Sequence, residues 1–294
     1  MYYIIYPLFY LLSLLPWRLM YLISDGIYAL VYHVFGYRKE VVMRNLLNAF
    51  PEKTEAERVR IAKAFYHNLV DSFIETIKLI SMSDSTFAKR YSANGDLIKA
   101  LYATGRNIQF HTAHFFNLEM ANLGEARHGV IPTVVIYMPI SSKAIDRIIY
   151  NLRTRYGSIL VPATDMRTKF KEYVTGRYGL VLAADQNPAN PSSAYWVPFF
   201  GKLLPFVTGP ENSARRNDTI VVFANFYKLK RGYFHVQYEV MTDAPKTFSR
   251  GQLTKLFAEK VEAAIRERPS NYLWSHRRWK FVYDEDKYGK LLVK

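Results

Sequence analysis

The segment HTAHFFNLE, residues 111–119, sets two histidines and a glutamate where the run Asn107-Ile108-Gln109-Phe110 reads as a strand giving way to a helix. A histidine able to take a proton, with a carboxylate close enough to support it, is the side-chain equipment of general-base chemistry. On a regular α-helix the offset between His114 and Glu119 turns roughly 500°, leaving the two about 140° apart on the cylinder. One helix face therefore cannot hold both. They meet only if His114 ends a strand-to-helix turn and Glu119 lies in the first turn beyond it, both overlooking a crevice at the strand's carboxyl end. With 7 histidines and 25 carboxylates in the chain, such a spacing also arises by chance, so spacing alone does not decide. A zinc reading of His111 and His114 lacks the further Cys/His ligands it needs, and no metal or tightly bound cofactor is expected.

The elements around this segment must supply everything cysteine would otherwise do. The chain has 294 residues and no cysteine, which excludes disulfides, thiolate metal sites and a cysteine nucleophile. That length allows one large or two modest domains with an ample core. Lys and Arg outnumber Asp and Glu 40 to 25, giving a net charge of +15, so the surface should attract polyanions: nucleic acid, anionic lipid or an acidic carrier protein.

Residues 1–37 narrow that choice. MYYIIYPLFYLLSLLPW carries no charge, and LMYLISDGIYALVYHVFGY, after Arg18, carries only Asp25. Each run approaches the length of a bilayer span. Pro7 and Pro16 argue against one straight helix, and the absence of a basic n-region and a small-residue cleavage site argues against a secretory signal. The reading is a membrane-inserted or re-entrant helical hairpin. Arg38, Lys39 and Arg44 follow, a basic cluster that favours a cytoplasmic location for the rest of the chain. A hairpin of this kind predicts that deleting residues 1–37 improves solubility and weakens activity on a membrane-presented substrate.

Residues 38–95 read as an amphipathic helical segment. Thr54-x-x-Glu57 is a capping box, and Val59, Ala62, Phe65, Leu69, Phe73, Ile77 and Ile80 recur at helical spacing, predicting one helix over about 55–80. Residues 96–294 alternate short apolar strands, at 130–137, 158–162, 179–185 and 219–227, with helical stretches. The expected class is α/β, a mixed sheet flanked by helices with active groups at strand ends. The period-two run at 232–240 suits an edge or antiparallel strand, and a last helix from Gln252 to Arg268 stops before Pro269.

Read in order, RNLLNAFPE (44–52), HFFNLE (114–119), ADQ (184–186), VPFFGKLLPFVTGPE (197–211) and YLWSHRRWKF (272–281) resemble the late acyltransferases of lipid A biosynthesis, within the lysophospholipid acyltransferase superfamily. The resemblance covers nearly the whole chain. It implies a glycerolphosphate-acyltransferase-like fold and a membrane-associated enzyme of lipopolysaccharide biosynthesis on the cytoplasmic face of the bacterial inner membrane. The implied reaction moves a fatty acyl group from an acyl carrier protein thioester to a hydroxyl of a lipid A precursor. His114 and Glu119 then match the family's H-x4-[D/E] catalytic pair, with His114 as general base. Glu119 either orients the imidazole or contacts the acceptor. A common family form is HFGNWE, so Phe116 stands where glycine is usual and Leu118 where tryptophan is usual.

The resemblance also nominates substrate-binding groups. Arg155, in an R-x-[F/Y]-G pattern, is the best match to an arginine that holds the acceptor, with Arg153 and Arg167 as further candidates. Asp185 matches the family's strand-end aspartate, followed by Gln186. Gly201 and Gly209 suit a loop and helix start near the acyl chain or acceptor, where glycine permits close backbone approach. For Trp274 a structural role is favoured, and the roles of Arg277 and Arg278 are left open. His111 suits a supporting place at a strand end better than that of a second base.

Two other readings fit the same residues. A lysophospholipid, an aminolipid or another envelope lipid presents a hydroxyl to the same histidine. A membrane-tethered nucleic-acid-binding protein would use the net charge and SHRRWKF, but the chain has no recognisable nucleic-acid module, and nucleic acid is not the expected partner. The expected partners are acyl carrier protein, a glycolipid or lysolipid acceptor and an anionic membrane surface.

Overall fold

A computed structural model describes residues 1–166 and 168–294. In chain order the elements are α1 (Tyr2–Leu14), α2 (Trp17–Ala29), α3 (Lys39–Ala49), α4 (Glu55–Leu79), α5 (Asp84–Ala88), β1 (Tyr91–Ala93), α6 (Asp96–Ala103), β2 (Ile108–Thr112), α7 (Leu118–His128), β3 (Thr133–Tyr137), α8 (Lys143–Arg153), β4 (Ile159–Pro162), α9 (Phe170–Tyr173), β5 (Gly179–Ala183), β6 (Ala194–Phe199), β7 (Lys202–Val207), α10 (Gly209–Asn217), β8 (Ile220–Lys230), β9 (Tyr233–Thr242), α11 (Gln252–Glu267) and α12 (Glu285–Tyr288).

The main sheet has seven strands in the order β1-β9-β8-β2-β5-β3-β4, parallel except for the β8–β9 pair. The expected mixed α/β architecture is borne out. Strand β2 lies at its centre, between β5 and β8, and all five of its residues are buried. A strand covered on both faces must satisfy any polar side chain internally. The Gln109 amide nitrogen does so, 2.6 Å from the His111 ring nitrogen and donating to the Pro210 carbonyl at 2.8 Å, whereas its Oε1 has no partner. The period-two run forms β9, antiparallel to β8, with β1 covering its outer edge.

Helix α4 begins at the capping box, where the Glu57 amide donates to the Thr54 hydroxyl and the Thr54 amide to the Glu57 carboxylate. Ala62, Phe65, Tyr66, Val70 and Ile74 form its buried stripe. The β6–β7 hairpin turns through Phe200 (φ 50°) and Gly201 (φ 70°), with Phe199 paired to Lys202. A two-residue turn of positive φ matches the twist of the strands, and Gly201 serves that turn.

Helices α1 and α2 meet at a bend of 116°. Pro16 causes it by pushing Leu15 into an extended conformation, whereas Pro7 lies within α1. Their polar groups face inward. Lys78 donates to the carbonyls of Ser13 and Leu15 at 2.7 Å each, Ser24 donates to Asp71 at 2.7 Å, and Arg231 bridges Asp25 and Asp71 at 2.6 Å each. Their apolar groups face out: Ile4 is 74% exposed, Leu11 63% and Leu22 67%. Among the described residues, no single helix is long and apolar enough to cross a membrane. Deleting residues 1–37 would therefore strip partners from Asp71, Arg231 and Lys78, a consequence that the sequence pattern did not reveal.

At the other end of the core, Glu211 is fully buried and accepts from the Gly251 amide (2.6 Å), the Thr254 amide (2.9 Å) and the Thr254 hydroxyl (2.9 Å), capping α11. Glu211→Ala should lower the unfolding free energy by roughly 2–4 kcal/mol in denaturant titrations, because buried donors lose a charged acceptor. An unchanged midpoint would show that water replaces the carboxylate.

Candidate active site

The β2–β5 register fixes the centre of the site. Thr112 is paired with Ala183, and the Ala184 amide donates to the Thr112 carbonyl at 3.1 Å. Continuing both strands by two residues brings His114 and Asp185 to the same depth at the carboxyl edge. Asp185 Oδ1 accepts from the His114 backbone amide at 3.0 Å and lies 2.7 Å from Nδ1 of its ring. A carboxylate on Nδ1 fixes the tautomer and leaves Nε2 as the basic nitrogen.

Electrostatics follow from that contact. Burial opposes charge on His114, but the charge and hydrogen bond of Asp185 outweigh it and raise the imidazole above its ordinary value. Burial would raise Asp185 too, yet His114 holds it below the usual carboxylate range. The buried Tyr272 hydroxyl, though outside full hydrogen-bond geometry, acts on Asp185 in the same direction. His111, buried and without a charge partner, falls to about 3 and stays neutral.

The loop from His114 to α7 is held on two sides. Asn117 adopts a left-handed conformation (φ 64°), accepts from the Met120 amide at 3.1 Å and donates to Glu75 at 2.8 Å. Glu75, raised to about 7 by burial and by Asp71, comes from α4. On the other side, the Phe116 amide donates to the Asn271 carbonyl at 3.2 Å and the Leu273 amide to the His114 carbonyl at 3.1 Å. The YLW segment thus runs alongside the histidine loop, and Phe116 packs on Phe65 with ring centroids 5.4 Å apart.

Glu119 opens α7, as the strand-to-helix turn requires, but its carboxylate engages Arg153 from α8, at 2.8 Å to Nε and 2.5 Å to Nη2. Such a paired fork orients both side chains. Both line a cavity of about 490 Å³ that His114 and Gln186 also border. One wall is the sheet face, with Phe110 and Thr112 of β2, Val181 and Ala183 of β5, and Phe226 of β8; the other is α7, with Leu118, Ala121, Asn122 and Glu125. The cavity is largely apolar and has its polar groups at defined points, the character of a small-molecule or lipid site.

The other nominated residues divide. Arg155 donates to the carbonyls of Leu79 (2.7 Å) and Ile80 (2.6 Å), closing the carboxyl end of α4, and does not line the cavity. Arg167 lies outside the described residues. Gln186 borders both this cavity and a second apolar groove of about 780 Å³, formed with Val31, Phe35, Arg38, Phe73 and His276. Gly209 starts α10 and Gly201 sits in the hairpin turn, neither lining the cavity. Trp274 is buried and donates from Nε1 to the Pro269 carbonyl at 2.6 Å. Among the described residues, no group of three or more His, Asp or Glu side chains is placed to hold a metal ion.

Several contributors lay beyond sequence reasoning. Arg278 is buried, donates to the Pro205 carbonyl at 3.0 Å and to Asn187, and lies 4.2 Å from the centre of the Phe206 ring. Burial lowers it to about 10, still protonated at neutral pH, so it places positive charge behind the Asp185–Asn187 loop. His276 falls to about 4 through burial and Arg278, and its Nε2 accepts from the Asn187 amide at 3.3 Å. The signal was the charge-rich run after Trp274, which does not say which arginine turns inward. Glu125 was equally silent, since only the helix register places it in the cavity.

Similarity to known proteins extends over nearly the whole chain. The family model for bacterial lipid A biosynthesis acyltransferases matches residues 1–281. The lipid A biosynthesis lauroyltransferase of Escherichia coli (strain K12) is 25% identical over 270 residues, covering 90% of this chain and 87% of that protein. The palmitoleoyltransferase of the same strain and a lipid A biosynthesis acyltransferase of Shigella flexneri are each 21% identical over 276 residues, covering 90% of this chain and 86% of theirs. The resemblance carried by the ordered motifs holds over the whole matched range, and the chain belongs to the bacterial lipid A biosynthesis acyltransferase family.

Proposed function

We propose that this acyltransferase moves a fatty acyl chain from an acyl carrier protein thioester to a hydroxyl of a lipid A precursor, with His114 as the general base. The observation that carries the reading is the His114–Asp185 contact of 2.7 Å at the mouth of the apolar cavity. Nε2 of His114 takes the acceptor hydroxyl proton as its oxygen attacks the thioester carbonyl carbon. Collapse of the tetrahedral intermediate breaks the C–S bond, and the imidazolium returns the proton to the departing thiolate. Asp185 stabilises the imidazolium between those steps. The transfer is direct, since the chain has no cysteine, and no serine in a nucleophile-elbow motif, to carry an acyl intermediate. Rapid quenching that traps a covalent acyl-enzyme would contradict this.

The two hollows divide the substrates. The donor chain occupies the cavity under α7, and the acceptor's chains lie in the groove between the N-terminal helices and α4. Gln186, which borders both, sits where the reacting groups meet. Glu119 and Arg153 serve the acceptor end, with Glu119 contacting a sugar or headgroup hydroxyl and Arg153 a phosphate. The net charge of +15 suits an acidic carrier protein and an anionic bilayer. The outward leucines and isoleucines of α1 and α2, with Phe35 and Phe73 (67% exposed), form the face that lies on the cytoplasmic leaflet of the inner membrane.

Three results are expected. In mass-spectrometric transfer assays with carrier-protein thioesters, His114→Ala should lose activity by about 10³-fold on lipid A precursor, while lysophospholipid acceptors are used poorly by wild type. Equal use of both acceptors would move the reading to a lysolipid acyltransferase. Because the base must be neutral and Asp185 raises its pKa, activity should fall as pH drops through a value above the ordinary histidine range. Asp185→Asn should shift that acidic limb to lower pH while lowering kcat about 10²–10⁴-fold; an unmoved limb would assign it to another group. Replacing Leu11 and Leu22 by serine should weaken binding to anionic vesicles about tenfold in flotation assays and spare turnover on detergent-dispersed lipid. Unchanged flotation would remove these faces from the membrane contact.

A further inference from the structure

Resting on the reading of the cavity under α7 as the donor-chain site, we propose that Glu125 and Tyr238 form a hydrogen-bonding subsite that selects acyl chains bearing an oxygen substituent, such as a hydroxyl, along their length. Helix α7 presents Leu118, Ala121, Asn122 and Glu125 to the cavity at one-turn intervals, which sets Glu125 about 9 Å along the helix axis from Glu119. Glu125 is half-buried and lines the cavity. The Tyr238 hydroxyl from β9 donates to its Oε2. Among the described residues, Oε1 receives no hydrogen bond, and it is not sealed off from the hollow. The walls around the pair, Phe110, Val181, Phe226 and Val236, are apolar.

A carboxyl in such surroundings is a poor floor for a plain hydrocarbon chain, because methylenes packed against Oε1 leave it desolvated and unpaired. An apolar side chain would serve a plain chain better. Burial raises Glu125 to about 7, so through much of the neutral range it keeps a proton and can both donate to and accept from a chain hydroxyl. The neighbourhood holds further polar capacity. Gly124 lets the Tyr91 ring lie against α7, where a Cβ would collide with it, and the Tyr91 hydroxyl is buried without a partner.

The test uses the full-length enzyme, carrier-protein thioesters of one saturated chain length, and the same chain with a hydroxyl moved stepwise along it. Transfer to lipid A precursor is read by mass spectrometry as kcat/KM. Wild type should favour at least one hydroxylated isomer over the plain chain by about tenfold, the discrimination expected of one buried hydrogen bond. Glu125→Leu should bring the two to near parity and speed the plain chain, and Glu125→Gln should keep most of the preference. Tyr238→Phe, which removes one hydroxyl and no packing, should reduce the preference and serves if Glu125→Leu fails to fold. The subsite is overturned if wild type uses the plain chain as well as every hydroxylated isomer, or if the preference survives in the foldable variants. Failure of wild type to transfer any chain would overturn the acyltransferase reading together with it.

Discussion

The pairing register of β2 with β5 is the constraint on which the rest of the site depends. With Thr112 opposite Ala183, the two chains leave the sheet in step and Asp185 meets both the backbone and the ring of His114. A slip of one residue would send one of the two side chains to the other face of the sheet. Parallel strands provide no short turn to fix such a register. Here it is fixed by packing on both faces: Phe110 and Thr112 toward the cavity, Gln109 and His111 toward α10. A loop hung on such a strand inherits the strand's rigidity, which keeps the geometry of the His114–Asp185 pair.

The N-terminal helices invert the usual arrangement of a soluble helix pair. Their serines, Asp25 and Tyr21 turn inward to α4 and the β8–β9 turn, while leucines and isoleucines face out. The same buried network reaches the site. Tyr21 of α2 and Asn117 of the histidine loop donate to the two oxygens of Glu75, at 3.0 and 2.8 Å. The N-terminal helix pair, with its exposed apolar face, and the loop that carries His114 are therefore connected through a single side chain.

Much of this was legible in the sequence, and the failures have physical causes. Helix α4 was readable from its capping box and its 3.6-residue spacing, and the strands were readable from short apolar runs, because local patterns report local structure. Pro7 and Pro16 together argued against one straight helix, and the bend falls at Pro16 while α1 accommodates Pro7. Asp185 was nominated by the resemblance as a strand-end aspartate that binds substrate, but its partner His114 was not, since strand register is set by contacts distant in sequence. For the same reason the motif match put Arg155 ahead of Arg153, whereas in the fold, two residues apart at a helix end, Arg153 turns to Glu119 at the cavity and Arg155 to the carbonyls of Leu79 and Ile80. The inward polar faces of α1 and α2 were hidden by composition, because a few serines and one aspartate among many apolar residues do not resemble a polar face until their partners on α4 are known.

Titrating the His114 imidazole by nitrogen-detected NMR, in wild type and in Asp185→Asn, shows whether Asp185 holds His114 as a poised base. A base poised in this way has a wild-type pKa above the ordinary histidine value of about 6.5, a proton on Nδ1 in the neutral ring, and a clear downward shift in the variant. An imidazole that titrates at or below the ordinary value, or is indifferent to Asp185→Asn, would contradict it.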